Sequence, residues 1–212
     1  MEPSFWHPRW QTNNIAFHQP EVHPLLVRHF PALALPAGAR VFVPLCGKSL
    51  DLPWLVSQGC RVAGVELSPL AVEQFFFEQD VTPVVSVQGA LRHYQAPSID
   101  LYTGDLFDLT PEILGPVDAV YDRAALVALP LELRQRYTAQ LLKLGGGAPQ
   151  LLATYVYDQN QAEGPPFSVS AEEVVGHYQS RHRITQLASV AVEGGMRGKT
   201  PAREEVWLLQ RP

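Results

Sequence analysis

The chain has 212 residues, of which 46% are apolar and 17% charged, a globular composition at a length that suits one domain with a full core. Its formal net charge of −5, with no cluster of lysines and arginines, argues against nucleic acid as a partner, and no apolar run approaches the about 20 residues that cross a bilayer. Two cysteines, Cys46 and Cys60, suit a reducing compartment, and the opening MEPSFWHPRW lacks the apolar core of a signal peptide, so a cytoplasmic protein is expected.

In chain order, the first segment, Phe5 to Phe30, carries Trp6, Trp10 and Phe17 ahead of any strand. Trp6 and Trp10 are four apart and would share a helix face, although Pro8 between them argues against a regular helix. From the residues alone, these aromatics are expected to cover one end of the core. Pro24 to Pro31 reads as a short helix and the proline-rich stretch after it as a connection.

The stretch from Val41 to Phe76 organises the rest. A strand at Val41 to Val43 runs into a turn with one glycine, Gly47, then a helix from Asp51 to Gln58 that Gly59 stops. A second strand, Arg61 to Val65, ends in Glu66, and Ser68-Pro69 predicts a helix start with a serine cap. In a parallel sheet this order brings a small-residue turn and a carboxylate to the carboxyl edge of neighbouring strands, where such sheets bind nucleotide-like ligands. The gap of about 20 residues suits an acid that takes two ribose hydroxyls. Gly47-Lys48-Ser49 imitates the end of a P-loop, but Phe42 stands where that motif needs its first glycine. The dinucleotide fingerprint needs three glycines and this turn has one. A ligand without a pyrophosphate fits better, and S-adenosylmethionine is such a ligand.

The helix from Pro69 to Gln79 is expected to bury Phe75, Phe76 and Phe77. Val81 to Tyr94 is ambiguous, with β character at Val84, Val85 and Val87 and a turn near Gly89. Ile99 to Tyr102 reads as a strand ending at Gly104-Asp105, where Asp105 could meet an adenine edge or simply cap a turn. Val117 to Asp122 is a further strand running into Arg123, which could pair with Asp118 or Asp122. A helix from Leu131 to Leu144 ends at three glycines, Leu151 to Tyr157 is a strand, and Ser170 with Glu173 predicts a capping box. Arg183 to Val192 and Glu204 to Leu209 are two closing strands. Cys46 reads as a packed thiol, and no histidine or cysteine spacing points to a metal.

PLCGKSLD followed by GVELS resembles the thiopurine S-methyltransferase family, and four more segments agree: FW, RW and IAFHQ between Phe5 and Gln19, GDLFDL from Gly104, YDRAALVALP from Tyr121, and GPPFSV from Gly164. The resemblance spans most of the chain and looks like the bacterial branch. It implies a class I S-adenosylmethionine-dependent methyltransferase, an α/β Rossmann-like fold with a mostly parallel seven-stranded sheet and one antiparallel strand. It further implies one methyltransferase domain over residues 1–212, with 1–30 as a lid, acting as a monomer. Trp10, Leu45 (through its backbone), Glu66, Asp105, Leu106 and Arg123 are implied in cofactor binding, Arg123 with a substrate role as its alternative, and Phe17 in substrate binding. The implied acceptors are aromatic and heterocyclic thiols, thiopurines above all, with selenium or tellurium compounds as further possibilities. The competing readings are a related enzyme that methylates a halide, thiocyanate or oxygen nucleophile, and a binding protein without catalysis.

Overall fold

A computed structural model describes residues 3–212. Residues 1 and 2 of the expected lid lie outside the described residues. The chain divides into two units, one of residues 3–28 with Leu35–Asp118, the other of His29–Ala34 with Ala119–Pro212.

The first unit opens with helix α1 (Pro3–Gln11) and helix α2 (Pro24–His29). α1 is helical through Pro8, although this proline argues against a regular helix there. The ring costs one backbone bond, and the aromatic face of the helix finds enough packing to hold the rest in place. Strand β1 (Arg40–Pro44), helix α3 (Asp51–Ser57), strand β2 (Arg61–Glu66) and helix α4 (Pro69–Glu78) follow as the sequence predicts. Both strands are apolar because they lie inside the sheet, buried at every position except the exposed or half-buried first residue. α4 buries Ala71, Val72, Phe75 and Phe76, whereas Phe77 is 86% exposed. At about 100° per residue, three successive phenylalanines cannot all face one sheet.

The ambiguous segment folds as a hairpin, β3 (Val84–Gln88) and β4 (Leu91–Ala96), before strand β5 (Ile99–Thr103) and the short helix α5 (Pro111–Leu114). The strand order here is β3-β4-β5-β2-β1, with β1, β2 and β5 parallel and the hairpin antiparallel.

The second unit holds strand β6 (Ala119–Asp122), helix α6 (Leu131–Gly145), strand β7 (Gln150–Tyr157), helix α7 (Ala171–Tyr178), and strands β8 (Arg183–Ala191) and β9 (Ala202–Gln210). Their order is β6-β7-β9-β8, with β9 antiparallel to both of its neighbours. α6 ends at Gly145, and Gly146 follows at φ 56°, the left-handed position at which a glycine ends a helix. Ser170 caps α7 by accepting the Glu173 N–H at 3.3 Å. The Glu173 side chain does not complete the capping box; it holds Arg134, which is buried in α6, at 2.8 Å.

The described residues thus contain nine strands, and both β4 and β9 run against their neighbours, which corrects the expected seven strands with one antiparallel. The difference is the hairpin, whose exposed valines give no clear period from which to read two strands.

Candidate active site

β1 delivers the chain to its turn at Pro44, and the turn is sharp: Leu45 has φ 48° and Gly47 φ 54°. A left-handed leucine is uncommon, and such strain collects where a backbone must be held in one shape. The turn presses onto β2. A Cβ at Gly64 would lie 2.8 Å from the Cys46 sulfur, so only a glycine in that strand lets the turn approach. Burial pushes the Cys46 thiol well up, which makes it packing and not a nucleophile.

Glu66 ends β2 with 6% of its surface exposed. Its Oε2 accepts the Gly47 N–H at 2.9 Å and its Oε1 the Ser68 N–H at 2.8 Å. One carboxylate therefore ties the turn after β1 to the start of α4. Ser68 serves there through its backbone; its hydroxyl makes no capping bond, a departure from the expected serine cap. Burial pushes the Glu66 carboxyl up, while the N–H bonds from Ser68, Gly47 and Leu67 and the charge of His7 pull it back.

α1 lies over this turn. Trp10, 4% exposed, packs on Gly47 so closely that an added Cβ would stand 3.2 Å from its ring, and the His7 ring hydrogen bonds the Leu67 carbonyl at 3.3 Å. Phe17 returns edge-on to both indoles, at 5.6 Å from Trp6 and 5.4 Å from Trp10. Lys48 is buried and reaches Glu78 at the end of α4 at 2.5 Å. The structure therefore brings Trp10, Leu45, Glu66 and Phe17 into one neighbourhood of the first unit.

Asp105 takes the capping role, accepting the Phe107 N–H at 3.0 Å, and the Leu106 side chain beside it is fully buried. Arg123 belongs to the second unit, directly after β6 and before Ala124, another residue in the left-handed region at φ 58°. Its Nε is buried without a hydrogen-bond partner. The two aspartates considered as its partners are engaged by other groups. Asp118 accepts the Arg40 N–H at 2.7 Å, and Asp122 accepts from the Tyr137 hydroxyl at 2.8 Å and the Leu126 N–H at 3.1 Å.

Compared with known families, residues 1–212 match the thiopurine S-methyltransferase model from end to end. The chain belongs to the thiopurine S-methyltransferase family. It is 52% identical over 212 residues to the thiopurine S-methyltransferase of Xanthobacter autotrophicus, covering 100% of both chains. With that of Pseudomonas fluorescens it shares 50% over 215 aligned positions, 99% of each. Among solved structures, it resembles the magnesium protoporphyrin IX methyltransferase of Synechocystis with bound S-adenosylhomocysteine, at a TM-score of 0.67 and 14% identity over 99% of this chain and 100% of that one. A TehB-like S-adenosylmethionine-dependent methyltransferase from Corynebacterium glutamicum aligns at 0.57 and 15%, over 99% and 97%. These distant likenesses show the fold, that of S-adenosylmethionine-dependent methyltransferases. Family and fold together make this thiopurine S-methyltransferase family member an enzyme that uses S-adenosylmethionine.

The residues present fit that donor. Glu66 accepts the Gly47 amide on one oxygen and the Ser68 amide on the other, with the Leu67 amide also acting on it, and since a carboxylate accepts about four hydrogen bonds it keeps acceptor capacity for a ribose hydroxyl. Sequence reasoning missed the Gly47 and Ser68 amides as the groups that fix this carboxylate, and His7 as the charge that acts on it from α1. His7 was within reach: it stands three residues before Trp10, the spacing of one helix face, and was hidden because Pro8 argues against a regular helix.

Proposed function

We propose that this methyltransferase acts on the sulfur of aromatic and heterocyclic thiols, thiopurines above all, by direct in-line transfer. The observation that carries the reading is the carboxylate of Glu66, buried under α1 with acceptor capacity to spare, in a chain matched along its whole length by thiopurine S-methyltransferases. Glu66 holds the ribose hydroxyls. Trp10 and the strained Leu45 backbone line the cofactor, Asp105 and Leu106 meet the adenine end, with Leu106 offering backbone because its side chain is buried, and Phe17 meets the acceptor. Arg123, in the second unit, has a buried Nε with no hydrogen-bond partner, and we assign it to the cofactor or, as its alternative, to the substrate. Bound there, S-adenosylmethionine supplies a methyl group on a sulfonium centre that departs as a neutral thioether.

No side chain is assigned as a general base. A thiol acceptor with an accessible thiolate or thione form is nucleophilic already, so catalysis comes from alignment and exclusion of water. Residues 1–30 act as a lid on a single methyltransferase domain of residues 1–212, working in the cytoplasm on a small molecule, with selenium or tellurium compounds as further acceptors. The test is incubation with labelled S-adenosylmethionine and a panel of thiols, halides and phenols. Label on the thiol supports the reading, label on a halide or phenol replaces it, and binding without turnover overturns the enzymatic role.

A further inference from the structure

β3 is the outer strand of its sheet and is built unlike a guarded edge. Eight large apolar side chains are exposed among the described residues, and five of them, Phe77, Val81, Val84, Val85 and Val87, fall within residues 77–87. No residue from Val81 to Leu91 is charged, whereas proteins usually protect an edge with lysines, bulges or a covering loop. Both faces of β3 are open: its first four residues are exposed and Gln88 is half-buried.

The hairpin fixes which backbone groups are available. Gln88 pairs with Leu91 across the two-residue turn Gly89-Ala90, and the pair that closes such a turn is hydrogen-bonded. Bonding alternates along the ladder, so Val84, Ser86 and Gln88 bond to β4 while the N–H and C=O of Val85 and Val87 point outward.

We propose that this edge pairs with a second copy of the chain, β3 against β3, antiparallel about a twofold axis at Ser86. In that register Val85 of one copy faces Val87 of the other, and each such pair exchanges two ladder bonds. The four valines form one apolar block on one face of the joined sheet. The run Val85-Ser86-Val87 is symmetric about Ser86, so the strand is complementary to its own copy in this register, and no like charges meet across the axis. Strands this short cannot bury the about 1,200 Å² of a stable interface, so the pairing is reversible and the monomer expected from sequence is its dilute state.

The test is sedimentation equilibrium from about 10 μM to about 1 mM, a range set by dissociation constants of about 1 μM to about 1 mM for weak association, together with amide hydrogen exchange across the same range. The wild type should show a monomer–dimer equilibrium, with exchange at Val85 and Val87 slowing as concentration rises while Val84, Ser86 and Gln88 stay unchanged. Val85→Lys puts a charge opposite Val87 of the other copy, twice across the axis, and should weaken dimerisation by at least about tenfold. A wild type that stays monomeric, as it would if an unlike peptide were the natural occupant, overturns the proposal. So does a dimer that Val85→Lys leaves intact, or protection that rises elsewhere than at Val85 and Val87. The wild-type exchange pattern decides the matter even should the variant fail to fold.

Discussion

Glu66 joins structure and binding in one side chain, because the carboxylate proposed to hold a ribose also holds the Gly47 turn. Hydrogen bonds to a charged acceptor are worth about 1.5–3 kcal/mol each. Glu66→Ala should therefore weaken S-adenosylmethionine binding by at least about tenfold, one decade being about 1.4 kcal/mol. Calorimetric titration with an unchanged dissociation constant in the folded variant would refute the assignment. Asp122 is a buried acid of another kind. Desolvation pushes its carboxyl up to about 6, against the opposing pull of Tyr137 and Leu126. The native state thus holds this proton more tightly than the unfolded chain, so the contribution to stability is greatest below about pH 4 and declines as pH rises from about 4 to about 6. A shift of about two units is on the order of 3 kcal/mol. Asp122→Asn keeps an acceptor for Leu126 and a partner for Tyr137 without titrating. The stability difference between wild type and variant, from urea unfolding at pH 4 to 7, should fall with pH by that amount; a flat difference would mean that Asp122 is not the group responsible.

At the scale of the element, α1 and the turn after β1 hold each other in place. Gly47 sits in the left-handed region with the Trp10 ring above it, so Gly47→Ala meets both backbone strain and a close contact. It should destabilise the protein by about 1–2 kcal/mol, the cost of a left-handed conformation, and change the tryptophan fluorescence; a spectrum and midpoint like those of the wild type would show that the ring does not rest on this turn. The segment is tied down again at His23, whose backbone N–H donates to the buried Asp51 at 2.8 Å. Deleting residues 1–20 leaves that tie and every strand in place. A folded core with lower S-adenosylmethionine affinity and turnover is expected, since closure over a ligand sheds water from the site. A truncated protein that turned over thiol at the full rate would reduce these aromatics to core cover.

For the whole molecule, binding and folding are linked. S-adenosylmethionine at 100 times its dissociation constant adds about 2.7 kcal/mol to stability, which for a chain of this size raises the midpoint of thermal unfolding by about 5–10 °C. No group of three or more His, Cys, Asp or Glu among the described residues could hold a metal ion. The thermal shift and the turnover should both survive exhaustive chelation. Activity lost to a chelator and restored by zinc or magnesium would reveal a missed site.

The sequence by itself determined the order of strand, turn, helix, strand and acid from Val41 to Phe76, and with it the placement of Glu66, because burial makes strands apolar and a buried acid needs a reason to be there. It also determined the family, through motifs spread along the chain. The tertiary structure alone decided what those residues touch. Sequence could not show that Glu66 bonds the turn after β1, that Cys46 fits only because Gly64 lacks a Cβ, or that packing on Gly47 carries α1 through Pro8. The hairpin of β3 and β4 was equally hidden: with valines open on both faces, β3 has no buried side to give the sequence an alternating period. Local propensity and period are properties of neighbours in the chain, whereas these contacts join residues far apart in it, and their energies appear only once the chain has closed on itself.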